Sequence, residues 1–285
     1  MSDSTPRTRL DRIIIWTFSV LVFGGFAVEL LFPFEPVKLS APFFLVWWCV
    51  LTMAHEWAHA LAARWVGWRV EHVEIGFGKT LWRTRMAGST VAFKAFPIIG
   101  FVSVVPANLK HPRTKNALIY AAGPGIELCL AFLVGCSLGT ATLLEQNDSA
   151  IVIASQSFVL AALAGALLNL LPFSPTPGHM SDGYALLKSP FLPRVHFESL
   201  MLRPVLQKAD TLLIKGEPAA AETLLSESLA DYPDVLLLHT GHARALLALG
   251  RGEEALLHLQ AFARNAPEAV KAEAQAALSQ FRDHL

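Results

Sequence analysis

The run His55-Glu56-Trp57-Ala58-His59 places two imidazoles four residues apart with a carboxylate between them. On a helix, positions i and i+4 share a face, so both rings can bind one zinc ion while the glutamate reaches a water at the metal and takes its proton. Zinc brings such a water toward ionisation near neutral pH, and the glutamate could later hand the proton to a leaving amine. Two histidines leave a tetrahedral site incomplete, so a further ligand is expected elsewhere. A pattern with three fixed positions also arises by chance. Here it falls inside a long apolar run, where ionisable side chains are costly and a functional role is the default reading.

The elements that must position these residues read as membrane helices. The chain has 285 residues, 53% hydrophobic and 16% charged, too apolar for an ordinary soluble domain. Segments at about 13–32, 41–65, 117–144 and 151–171 are apolar over roughly the 20 residues that a bilayer core requires. Arg7, Arg9 and Arg12 precede the first, and Arg69, Lys79, Arg83, Arg85, Lys94, Lys110, Arg113 and Lys115 fill the interval between the second and third. By the positive-inside tendency both regions face the cytoplasm, and four spans return the C-terminus there. A cleaved signal peptide is the alternative reading of the first span, although it lacks a clear small-x-small cleavage site.

Between the second and third spans the pattern changes. Val70–Ile75 and Thr90–Phe96 are short β-branched and aromatic runs punctuated by Gly76, Gly78, Gly88 and Gly100, which predicts strands. A free edge there could accept an extended peptide. From about Leu202 onward the residues alternate as in soluble helices, and Gly216/Gly250, Ala221/Ala255, Leu225/Leu259 and Pro233/Pro267 are each 34 residues apart. That is the tetratricopeptide period. Two repeats are fewer than a free-standing array needs, so this tail is expected to pack on the membrane domain, self-associate or hold a protein partner. A small helical cap without a partner is the plainer alternative.

The expected fold class is therefore mainly α: a polytopic membrane protein with about four transmembrane helices, a small membrane-associated β segment and a C-terminal tetratricopeptide-like region. Its expected divisions are 1–40 (cytoplasmic stub and extra helix), 41–190 (membrane core, with the β segment at about 70–105) and 200–285 (cytoplasmic tail). Zero net charge and the lack of a basic patch with interleaved aromatics argue against nucleic acid as a partner. Cys49, Cys129 and Cys136 lie in apolar runs without CxxC spacing, so they read as packing residues.

His55-Glu56-Trp57-Ala58-His59, followed by Asn169-Leu170-Leu171-Pro172 and Ser181-Asp182-Gly183, resembles the catalytic signature of the site-2 protease family of intramembrane zinc metalloproteases. Gly76-Phe77-Gly78 and Phe96-Pro97-Ile98-Ile99-Gly100-Phe101-Val102 are similar to family segments as well, so the resemblance covers about residues 41–188. It implies a core of three membrane helices, with Glu56 as the base and one Zn2+ per chain held by His55, His59 and Asp182. The interval from Asn169 to Asp182 is longer than in the commonest pattern, which leaves His179 in the same loop as an alternative ligand. Asp182 could otherwise cap a helix over 183–188.

The resemblance also suggests that Asn169 binds substrate backbone or a developing oxyanion; a bond to a neighbouring helix is the plainer reading. In Ala122-Gly123-Pro124-Gly125-Ile126-Glu127, a glutamate stands where the family often has asparagine. Glu127 at that depth must be protonated, wet or paired, as a cavity residue or with a cation such as Arg64. The implied activity is hydrolysis of a peptide bond within or near a transmembrane segment of a membrane-protein substrate, in regulated proteolysis or signalling. The implied location is a bacterial inner membrane, with both termini cytoplasmic. The competing reading is a non-catalytic membrane scaffold that binds client proteins through the tail, which gives Glu56 no role.

Overall fold

The computed structural model of the chain describes residues 24–25, 27–28, 32–174 and 180–282. Most of the expected first span and the alternative ligand His179 lie outside them. A 3-10 turn at Pro36–Leu39 leads into α1, Ser40–Trp65. Helix α1 stops at Gly67, whose φ of 80° suits a residue without a Cβ. There the amides of Gly67 and Trp68 donate to the carbonyls of Arg64 and Ala63, closing the helix in a Schellman arrangement.

Helix α2 covers Pro112–Leu138, with Pro112 in the first turn where no amide hydrogen is needed. The sequence predicts one span over 117–144, but Gly139 adopts φ 78° and ends α2, so Thr140–Leu144 forms a separate short α3. Helix α4 is Ala150–Leu170, and Pro172 follows where a helix cannot continue. Helices α1, α2 and α4 are the three that are long and apolar enough to cross a membrane among the described residues. They meet through a core of Leu51, Ala131, Val159, Ala161 and Ala162, in which small residues permit close backbone approach.

Leu45, Phe132, Leu160 and Leu167 point outward and are largely exposed. Such surface is a liability in water and natural against lipid. Cys129 and Cys136 are likewise exposed and Cys49 is half-buried, rather than all three being interior packing residues. On helices apolar all round, lipid accepts a thiol as readily as a protein core does.

The β segment is longer than the two short runs suggest. Strands β1 (Arg69–Met86) and β2 (Ser89–Val105) pair antiparallel from Arg69↔Val105 to Ile75↔Gly100 and again from Thr80↔Lys94 to Met86↔Ser89. Of the glycines that read as punctuation, Gly76 and Gly78 are bends inside β1, Gly88 lies in the turn between the strands and Gly100 lies inside β2. Gly76 has φ 94°, and a Cβ there would lie 2.7 Å from the Phe96 carbonyl oxygen. Trp68, Val73, Ile75 and Val91 pack this sheet on Ala60 and Ala63 of α1.

After α5 (Asp182–Lys188), α6 (Arg194–Met201) carries the chain away from the bundle. Phe197 of α6 is fully buried in the cluster that joins α1 to the sheet, so the helical region is anchored to the membrane core. Beyond it come two helical hairpins, α7 (Arg203–Ile214) with α8 (Pro218–Asp231) and α9 (Leu236–Ala248) with α10 (Gly252–Asn265). Gly216 and Gly250 turn them with the same φ of 77°. Helix α11 (Glu268–Arg282) lies against the second hairpin.

Candidate active site

His55 and His59 lie one turn apart on α1, both buried, with their Nε2 atoms 3.0 Å from each other. Oδ2 of Asp182 is 2.9 Å from Nε2 of His55 and 3.3 Å from Nε2 of His59. Among the described residues this is the one trio of histidine, cysteine or acid side chains that converges closely enough to hold a metal ion. Around a tetrahedral zinc with bonds of about 2.0–2.1 Å, ligand atoms stand about 3.3 Å apart. Two imidazole nitrogens and a carboxylate oxygen at these separations fit that ion with little adjustment.

The route that brings Asp182 here begins where Pro172 ends α4. Ser181 then closes the intervening loop: its amide donates to Phe173 O at 3.0 Å, and its hydroxyl donates to Leu171 O at 2.6 Å. The same hydroxyl accepts from the amide of Tyr184 at 3.2 Å, so the N-cap of α5 is Ser181 rather than Asp182. The aspartate is thereby free to face the histidines. A Cβ on Gly183 would overlap the carbonyl of Leu170, so α5 can abut the end of α4 here because residue 183 is glycine. At its other end, Asn116 donates to the hydroxyl of Ser189 at 2.8 Å, tying the turn after α5 to α2. Burial pushes the Asp182 carboxyl up, but hydrogen bonds to His55 and His59 outweigh it and hold the group at about 2, in its anionic form.

Glu56 is buried on α1 beside this trio, and β2 passes directly over it. A Cβ on Gly100 would sit 2.6 Å from Cγ of Glu56, and Trp48 of α1 donates to Ile98 O at 3.0 Å. A cavity of about 230 Å³ opens here, lined by Thr52, His55, Glu56, Ile98, Gly100, Glu127, Asn169 and Ser181 among others. Glu56, Glu127 and Asn169 thus share one cavity with His55, while His59 and Asp182 complete the trio beside it.

Two features depart from the sequence reading. Arg64 does not pair with Glu127; its guanidinium donates to Ser89 Oγ at 3.0 Å and Ala87 O at 3.3 Å, at the C-terminal end of α1 where the sheet packs. Glu127 lies deeper and faces His55 instead, with Oε2 3.2 Å from Nδ1. The contributions of Ile119, Gly123 and Ser181 also went unread. The carbonyl of Ile119 sits 2.6 Å from Nδ1 of His59, and a backbone acceptor leaves no mark on a sequence. Gly123 leaves room for both rings, since a Cβ there would fall 2.5 Å from Nε2 of His55. Ser181 did carry a signal, as a serine three residues before an orphan amide is a helix-start pattern.

A model of peptidase family M50 matches residues 43–277, well over half of the chain. The chain belongs to peptidase family M50. This M50 chain is 31% identical over 100 residues to zinc metalloprotease Rip1 of Mycobacterium tuberculosis, a match covering 30% of this chain and 25% of that protein. It is 40% identical over 96 residues to the regulator of sigma-E protease RseP of Escherichia coli, covering 28% and 21% respectively. With protease RseP of Yersinia pestis the identity is 36% over 95 residues, covering 28% and 21%. The M50 chain thus spans about a quarter of the length of the curated relatives it matches. Zinc is the metal of this family, and the nitrogen and oxygen donors of the trio suit it.

Proposed function

We propose that this M50 chain is an intramembrane zinc metalloendopeptidase of the site-2 type that hydrolyses a peptide bond within or near a transmembrane segment of a membrane-protein substrate. The observation that carries the reading is the convergence of His55, His59 and Asp182 beside Glu56, on helices of membrane-spanning length. His55, His59 and Asp182 hold the metal. When bound, zinc supplies a Lewis acid that polarises the scissile carbonyl and acidifies water. The Glu56 carboxylate takes a proton from the attacking water as its oxygen bonds to the carbonyl carbon. It delivers that proton to the amine nitrogen as the C–N bond breaks. Asn169, at the cavity wall, donates its amide to substrate backbone or to the developing oxyanion.

A peptide must be extended to present its bond, and the Ile98–Gly100 stretch of β2 beside the cavity offers a strand edge for it. Residues 41–190 form the protease core in this reading, and 200–285 a tetratricopeptide-like appendage that takes a protein partner or a second copy. The chain sits in a bacterial inner membrane with its basic interval and both termini in the cytoplasm, and takes part in regulated proteolysis.

The deciding experiment is Glu56→Gln in full-length protein. The variant is expected to bind zinc as wild type does and to lose cleavage of a transmembrane substrate by at least about 100-fold, the scale of general acid–base catalysis. Full function with Glu56→Gln would instead favour the non-catalytic scaffold.

A further inference from the structure

One face of α2 serves both imidazoles, through residues spaced four apart. The carbonyl of Ile119 meets Nδ1 of His59 at 2.6 Å. Gly123, one turn on, is the gap into which the two Nε2 atoms fit. Glu127, a further turn on, brings Oε2 to 3.2 Å from Nδ1 of His55. Both of these last atoms are shielded from solvent and have no hydrogen-bond partner. They are within bonding distance but off the line that an N–H···O bond needs. A buried polar atom left unpaired is destabilising, and each of these is the other's nearest remedy. Space for the carboxylate is set aside on the opposite helix: a Cβ on Gly165 would lie 2.7 Å from Oε1 of Glu127.

We propose that Glu127 is a positioning residue that accepts the Nδ1 proton of His55 and so holds the ring with Nε2 turned toward the metal. The inference rests on His55, His59 and Asp182 being the metal ligands. Ile119 does the same for His59 with a backbone carbonyl, whereas Glu127 does it with a side chain that a substitution can remove.

The test compares wild type, Glu127→Gln and Glu127→Leu as full-length chains in detergent, with zinc affinity read by chelator competition and the cobalt(II) visible spectrum recorded in parallel. Removing the acceptor in Glu127→Leu is expected to weaken zinc binding about 10–100-fold and to broaden the cobalt spectrum. Glu127→Gln can still accept the N–H and should recover most of the loss, as a purely space-filling role would not require. If the leucine variant does not fold, Glu127→Met, of matching length, takes its place. An apolar variant that binds zinc within about twofold of wild type, with an unchanged cobalt spectrum, overturns the positioning role alone. A wild type that binds no zinc overturns the ligand assignment and the positioning role with it.

Discussion

At the scale of single residues, the proposed mechanism divides the site into groups that hold the ion, a group that moves a proton and a group that steadies the substrate. Asn169→Ala should therefore lower kcat about 100-fold, the size of effect seen on removing one oxyanion donor, with zinc content unchanged; a parallel loss of zinc would reassign Asn169 to structure. Ser181→Ala removes the cap of α5, worth about 1 kcal/mol, and lets Asp182 drift, so weaker zinc binding is expected alongside a lower melting temperature. Spacing alone put His55, Glu56 and His59 together, and resemblance to known signatures put Asp182 and Asn169 near them, which is where the fold places these side chains. Glu127 was legible as an oddity but not as a neighbour of His55. Its partner lies 72 positions away, and only the packing of α2 on α1 brings the two together.

At the scale of elements, the site depends on close helix approach at Gly123, Gly165 and Gly183. Gly123→Ala puts a methyl group against Nε2 of both histidines, and Gly183→Ala drives α5 into the last carbonyls of α4. Each is expected to reduce zinc content by more than half while the far-ultraviolet circular dichroism of the helices persists. Retained zinc in either variant would mean that the helices yield more easily than their packing suggests. The three described spans could be read from hydropathy because apolar length is a local property. The break at Gly139 and the lengths of β1 and β2 could not. A glycine within an apolar run can be packed, bent or terminal, and the neighbouring chain decides which. Gly76 and Gly100 looked like ends of strands, yet both lie within them because β2 and Glu56, respectively, crowd their α-carbons.

At the scale of the molecule, a membrane core and a helical tail are joined through Phe197, which the sheet and α1 bury completely. Gly216 and Gly250, 34 residues apart, turn the two hairpins of the tail, but nothing in that spacing marks the preceding helix as pinned into the core. The second hairpin carries a cluster of imidazoles, in which Nδ1 of His239 lies 3.0 Å from Nε2 of His258. The ring of His242 stands 4.6 Å from that of His258, and its Nε2 lies 3.3 Å from Glu222. Burial, and then the neighbouring His242 and His239, push His258 down to about 4, only partly opposed by Glu254. The unfolded chain would bind that proton more readily. Tail stability should therefore be full above about pH 6.5, the unperturbed value, and fall as pH drops toward 4. Thermal melts of wild type and His258→Gln at pH 7 and pH 5 check this, and the variant should show the smaller difference. The proposed chemistry stands on the metal. Its most direct test is zinc per chain, by elemental analysis of detergent-purified full-length protein prepared without chelator, for wild type, His59→Ala and Asp182→Ala. About one zinc in wild type and a marked loss in both variants is the predicted result for a site with one ion and three protein ligands. A wild type that neither contains zinc nor takes it up when supplied would contradict it.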